Sequence, residues 1–263
     1  MVNVSLERGW AKLPYDAAVH DWAKTAWQAG QLAMRKPEHA QWWDCEDTWF
    51  IGVDALPNDA AGAIDGGAPL SGAPVEAIRA LYGTVLPLHA GQLSVTRPGY
   101  PRPRLGETEV GFRYRQNRDA AHLDGLQKGE DGGRYIAEPH AWILGLPLTQ
   151  NTAEQAPLVI WEGSHNILQS ALIEALSDVP EAAWAQTDIR VAYQAARKQV
   201  FETCKRVTVC ANPGEAILMH RLCLHGVAAW SGESQKQLED ECRAIAYFRP
   251  ILPEGAAPWL IDP

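Results

Sequence analysis

From Gly91 onward this sequence is a series of short β-type runs, and that series limits the fold more than any other feature. The runs are QLSVTR, VGFRYR, HAWILGLPL, LVIW, RVTVC, AILM, LCLHGV and RAIAYF, each bounded by Gly, Pro or polar turn residues. Many short strands in succession imply a β-sandwich or barrel. One stretch breaks the pattern. Ile167 to about Glu202 has helical composition and contains Pro180, which predicts at least two helices inserted between strands at about 166–203.

Ahead of the β-rich region, Asp16 to Met34 places Val19, Ala23, Ala26, Trp27 and Gly30 near helical spacing. That pattern predicts an amphipathic helix packed on the outside of a sheet. Pro57 to Pro74 is dense in Gly, Ala and Pro without an apolar period and reads as a long loop. With 263 residues and no internal repeat, the expectation is one domain over 1–263: a helical decoration at about 1–90 and a β core at about 91–250.

Charge excludes several partner classes. The 32 acidic and 23 basic residues leave a net charge of −9, which opposes nucleic acid and anionic lipid surfaces. Glu7 and Arg8 interrupt the position of a signal-peptide core, and no stretch approaches the roughly 18 apolar residues of a membrane span. The expected location is the cytoplasm. Five cysteines without a CxxC pair argue against a disulfide framework or a structural zinc site. Against the acidic background, Arg97 to Arg118 carries six arginines and two glutamates, a local +4. An ion-paired or solvated face is the ordinary reading of such a run, and steering of an anionic substrate is the alternative.

The candidate chemistry begins with His122-Leu123-Asp124. On extended backbone, residues i and i+2 project to one side, so the imidazole and the carboxylate can reach one ion together. His225, in LCLHGV, can bring a second imidazole to the same point inside a closed barrel. Two histidines and one carboxylate make the facial triad of non-haem Fe(II) oxygenases, which leaves the opposite face of the ion open for co-substrate and O2. Arg243, in RAIAYF on the next strand, offers paired planar donors suited to a carboxylate.

His122-x-Asp124, VIWEGSHNIL, PGEAILMHRLCLHG and RAIAYF, in that order, resemble the phytanoyl-CoA dioxygenase family of Fe(II)/2-oxoglutarate oxygenases. The resemblance spans roughly 91–250. It implies a mainly β, double-stranded β-helix fold (a cupin-like jelly roll) with flanking helices. It also implies Fe(II) held by His122, Asp124 and His225, and Arg243 gripping the far carboxylate of 2-oxoglutarate. The expected activity is hydroxylation of a small molecule by O2, with release of succinate and CO2. Halogenating relatives replace the carboxylate ligand with a small residue, so Asp124 favours hydroxylation.

Two departures from the pattern stand out. Relatives often carry a small hydroxyl residue two positions after the distal histidine, where this chain has Val227. Ser94 and Thr96 are candidate substitutes, and Trp142 occupies a strand where relatives contact the co-substrate. In addition, Ser231 to Glu241 lengthens the connection between His225 and Arg243, predicting an exposed loop near the site mouth.

Competing assignments stay open. His220 rivals His225, but in relatives the ligand is the histidine followed by Gly. His20, His39, His89 and His165 read as structural or surface residues, while His140 shares the parity of Trp142 and is a candidate cavity residue. Arg249 shares the parity of Arg243, although Pro250 marks it as the strand end. Pocket walls are expected from Gly125 to Pro139. A cupin-like Zn, Mn or Ni site for hydrolysis or isomerisation, and a binding module without turnover, are the alternative functions.

Overall fold

The computed structural model describes residues 4–232 and 241–262. The first part of the chain forms β1 (Trp10–Leu13), α1 (Ala17–Ala33), β2 (Trp43–Asp44), β3 (Trp49–Phe50) and α2 (Ala73–Tyr82). Next come β4 (Gln92–Thr96), α3 (Glu109–Asn117), β5 (Leu126–Lys128), β6 (Arg134–Ile136), β7 (Ile143–Pro147) and β8 (Leu158–Trp161). The remainder is α4 (Ser164–Leu176), α5 (Arg190–Thr203), β9 (Arg206–Val209), β10 (Ala216–Met219), β11 (His225–Val227), β12 (Arg243–Phe248) and α6 (Ala256–Ile261).

A seven-stranded antiparallel sheet in the order β1-β10-β7-β12-β4-β3-β2 faces a three-stranded sheet, β11-β8-β9. Together they form the double-stranded β-helix. Alternation along the strands divides the large sheet cleanly. Phe50, Leu93, Val95, Trp142, Leu144, Leu146, Ala216, Leu218, Ala244, Ala246 and Phe248 turn outward to meet α1, which offers Val19, Trp22, Ala23 and Ala26. Ile143, Ile217 and Met219 turn inward and meet Leu158, Ile160 and Val209 of the small sheet. The outer face of that small sheet, Val159 and Trp161, is covered by Leu168 and Leu172 of α4 and Val200 of α5.

Most expected elements are present. The aromatic helix is α1, capped by Asp16, whose carboxylate accepts from Ala18 N–H and reaches across to Ala73 N–H at the start of α2. The predicted insertion is α4, a 3-10 turn at Glu181–Gln186, and α5, divided at Pro180.

Three expectations differ. VGFRYR is not a strand but most of α3, capped by the Thr108 hydroxyl on Gly111 N–H and stitched by a Glu109–Arg113 pair at i,i+4. The segment before residue 90 is more than helical decoration, because β1 forms one edge of the large sheet and β2–β3 the other. Gly125 to Pro139, expected in the pocket walls, carries the β5–β6 hairpin, and none of its residues lines the cavity beside the triad. Most of the predicted Ser231–Glu241 loop lies outside the described residues.

Candidate metal centre

His122 and His225 arrive from distant parts of the chain and lock together through their own backbones. His122 N–H donates to His225 C=O at 2.8 Å, and His225 N–H returns a bond to His122 C=O at 3.2 Å. Gly226 permits this approach, since a Cβ there would lie 2.2 Å from the Asp119 carbonyl oxygen. After Asp124 the chain turns through Gly125 at φ +89, where a Cβ would lie 2.5 Å from Glu138 C=O. Both glycines are therefore fixed by the geometry of the ligand-bearing segments.

The ring orientations are set in the same local way. His122 Nδ1 lies 3.0 Å from Ala120 C=O, and His225 Nδ1 lies 2.9 Å from Cys223 C=O. A carbonyl oxygen can only accept, so each Nδ1 carries the proton and each Nε2 presents a lone pair. The carboxylate of Asp124 stands between them, with Oδ1 3.3 Å from His122 Nε2 and Oδ2 3.6 Å from His225 Nε2. One ligand atom from each of the three residues falls within 4.8 Å of the others. This is the donor set and spacing that an octahedral ion bound on one face requires.

Burial shapes the electrostatics. It would raise the Asp124 pKa, but Arg249, His225 and His122 outweigh it and hold the carboxyl well below its usual range. Burial pushes His225 down to about 4, against the opposing pull of Asp124. The carboxylate is thus charged and His225 neutral at physiological pH, the protonation states a metal ligand needs. The His122 side chain is 47% exposed whereas Asp124 and His225 are 8% exposed, so the centre opens on the His122 side.

A cavity of about 260 Å³ adjoins the triad, with Trp49, Gln92, Ser94, Val227, Tyr247 and Arg249 in its walls. Arg243, Ile245 and Tyr247 share the inward side of β12, and Arg243 faces Thr96 across the ladder. Arg243 is fully buried, yet none of its three guanidinium nitrogens has a hydrogen-bond partner. Thr96 Oγ1 and the Tyr100 hydroxyl are also buried without partners. The three groups are neighbours: Tyr100 feels the Arg243 charge and packs with Val227, itself in the cavity wall. An unpaired guanidinium inside a protein is strongly unfavourable, so this arrangement has a charge and free donors that an anion would satisfy. A carboxylate meets both the charge and the hydrogen-bonding demand.

SnoK, a non-heme alpha ketoglutarate dependent carbocyclase from nogalamycin biosynthesis, matches the structure with a TM-score of 0.53 at 15% sequence identity, over 92% of this chain and 80% of SnoK. The two chains share a fold. Lower similarity, at TM-scores of 0.43 and 0.45, is found to the non-heme alpha ketoglutarate dependent epimerase SnoN and to EctD from S. alaskensis with bound Fe. SnoN is 14% identical over 92% of this chain and 77% of its own, and EctD is 15% identical over 92% and 72%. No protein-family model matches the chain, and no curated protein matches it by sequence. The fold expected from the phytanoyl-CoA dioxygenase resemblance is the fold found.

The structure brings His122, Asp124 and His225 together, and puts Ser94 in the cavity wall and Thr96 beside Arg243. Ser94 already accepts from Trp49 Nε1 at 3.1 Å. Trp142 is not brought to the site. It lies on the outward face of the sheet with Leu144 and Leu146, so its parity removes it from any co-substrate contact. His140 is not in the cavity wall, and holds Arg249 C=O through Nδ1 at 2.9 Å.

His220 belongs neither to the triad nor to the cavity wall; its ring lies 4.9 Å from that of His165, tilted by 44°, and its Nδ1 accepts Leu222 N–H. None of the six arginines between 97 and 118 lines the cavity. Arg115 is bidentate with Glu107, Arg104 pairs with Asp44, and Arg97 and Arg118 stack on Trp43 and Phe201. Sequence reasoning passed over Arg249, which forms an ion pair with Asp124 at 3.0 Å. Its shared parity with Arg243 was the available signal.

Proposed function

We propose that this chain is an Fe(II)- and 2-oxoglutarate-dependent dioxygenase that hydroxylates a small molecule. The overall reaction converts substrate C–H, 2-oxoglutarate and O2 into alcohol, succinate and CO2. The observation that carries the reading is the pairing of a three-ligand centre with a buried, unpartnered arginine on the inward face of the same β-helix. Neither half alone specifies this chemistry. Their conjunction fits a co-substrate that chelates a metal at one end and carries a carboxylate at the other.

When bound, iron and the keto acid would reductively activate O2 to an oxidant able to remove hydrogen from carbon. The protein's part is placement. Backbone carbonyls hold the Nδ1 side of His122 and His225, which leaves each Nε2 as the atom that would bind the ion, and Asp124 contributes the anionic donor. Arg243 grips the far carboxylate, with Thr96 Oγ1 and the Tyr100 hydroxyl as additional donors in place of the hydroxyl residue that Val227 displaces. Ser94, Trp49 and Tyr247 line the space left for substrate. The arginines from 97 to 118 lend no support to an anionic substrate, since none reaches this space and most are paired or stacked.

The test is an anaerobic titration of the protein with Fe(II) and 2-oxoglutarate, followed by a substrate-library screen scored by succinate release. A visible charge-transfer band from the chelated keto acid is expected, together with succinate that depends on Fe(II) and O2. Both vanish in His225→Ala and persist in His220→Ala. Succinate formation by His225→Ala at the parent rate would refute the reading.

A further inference from the structure

Arg249 is held at more points than any requirement of strand β12 explains. Its Nη1 lies 3.0 Å from Asp124 Oδ2, and its Nη2 donates to Gln92 Oε1. Gln92 is fixed in turn, because its amide donates to Ile51 C=O at 3.0 Å. The Arg249 backbone is braced on both sides by histidines. Its N–H donates to His89 Nε2 at 2.8 Å, and its C=O accepts from His140 Nδ1 at 2.9 Å. His89 Nδ1 sits 2.6 Å from Ala90 C=O, which places the proton there and leaves Nε2 free to accept.

The guanidinium head is thus immobilised with one donor aimed at one carboxylate oxygen. Building on the metal reading above, we propose that Arg249 is a positioning residue, holding Asp124 so that a single carboxylate oxygen faces the ion. A carboxylate on a facial triad contributes one donor if its second oxygen is engaged elsewhere. It is otherwise free to rotate or to take up a second coordination position. Arg249 engages Oδ2 and leaves Oδ1, on the His122 side, for the metal. One-oxygen binding would leave room on the ion for the keto acid and O2.

Charge and orientation act in opposite directions here, which gives the experiment its power. A guanidinium beside a divalent ion repels it, so an Arg249 that acted through charge alone would weaken metal binding, and its removal would tighten it. An Arg249 that orients Asp124 strengthens binding, and its removal loosens it. The probe is Co(II), titrated calorimetrically into metal-free protein without 2-oxoglutarate. Arg249→Met is expected to weaken Co(II) by roughly 10–100-fold, the effect usual for losing a hydrogen-bond partner of a metal ligand. Arg249→Lys, which keeps one donor within reach of Asp124, recovers part of the loss.

Gln92→Leu removes the other anchor of the guanidinium without altering charge or touching Asp124. It is expected to weaken Co(II) by about threefold or more, the size of one net hydrogen bond, and it decides the matter if Arg249→Met does not fold. Unchanged or tighter Co(II) binding in Arg249→Met overturns the proposal, as does unchanged binding in Gln92→Leu where the Met variant is unavailable for lack of folding. His225→Ala serves as the control in the same titration. Parent-like Co(II) affinity there would sink the metal centre itself, whereas lost binding there with undiminished binding in Arg249→Met sinks only the role of Arg249.

Discussion

Alternate residues of β12 serve opposite purposes. Ala244, Ala246 and Phe248 project outward into a dry layer against α1, where each is essentially inaccessible to solvent. Arg243 and Tyr247 project inward, followed by Arg249 just past the strand end; Tyr247 and Arg249 line the cavity beside the triad, while Arg243 is fully buried opposite Thr96. Only one residue separates a packing position from a position that lacks hydrogen-bond partners. The outward face is an apolar layer in which the Trp142 indole N–H and the Tyr82 hydroxyl are buried without partners, while the inward face leaves a whole guanidinium and the hydroxyls of Thr96 and Tyr100 unanswered. Stability and ligand affinity should therefore respond to different substitutions along the same strands.

The largest expected effect lies on the outward face. Trp142→Ala removes a fully buried side chain from the layer against α1, and a loss of about 3–5 kcal/mol in unfolding free energy is expected. Chemical denaturation measures it. Co(II) and 2-oxoglutarate affinities of the molecules that remain folded should be unchanged, and a fall in either would mean that the two faces are coupled.

Arg243→Met tests the inward face and should invert that pattern. The 2-oxoglutarate dissociation constant is expected to rise roughly 10–100-fold, because charge-assisted hydrogen bonds are worth about 1.5–3 kcal/mol. Without ligand, the variant should be as stable as the parent or more so, since replacing an unpaired buried charge by an apolar side chain is neutral or favourable. Calorimetry for binding and denaturation for stability give the two readings. Unchanged 2-oxoglutarate affinity would remove Arg243 from the site.

The smallest effect concerns His220, one of four buried histidines. Burial pushes His220 down to about 3 from an ordinary value of 6.5, with Arg221 and His165 acting in the same direction. The folded state therefore resists a proton that the unfolded chain accepts. Stability is fully present above pH 6.5 and is lost as pH falls from there toward 3. At pH 5.5 the loss from this group is about 1.4 kcal/mol. His220→Asn keeps an acceptor for Leu222 N–H and has nothing to protonate. Its stability should fall less steeply between pH 7 and 5.5, and an identical slope would show that His220 does not titrate in this way.

What could be read from the sequence depended on whether the signal was local. The RAIAYF strand, the helix from Asp16 and the HxD pair all declare themselves through spacing within a few residues, and the structure contains them. VGFRYR misled because its apolar-polar alternation has period two. The Thr108 cap and the Glu109–Arg113 pair instead made a helix, both being competing local signals. The inward parity of Arg249 was visible, but its partner Asp124 lies more than a hundred residues earlier, and no spacing rule connects them. Trp142 shows another limit, since period-two spacing puts it on one face with Leu144 and Leu146 but does not say which face turns outward, and the structure decides that. The N-terminal strands β2 and β3, of two residues each, are too short to show any period; β3 exists through pairing with β4, and β2 through pairing with β3.

The reciprocal backbone bonds between His122 and His225 have a consequence for how the protein is made. They join segments about a hundred residues apart, so the ligand pair is assembled only after a long loop has closed. No shorter fragment ending before β11 contains it, and a nascent chain emerging from the ribosome has no centre until nearly all of the β-helix has been synthesised. Metal capture by these residues would thus be a late event that selects chains already folded and draws that population forward by mass action.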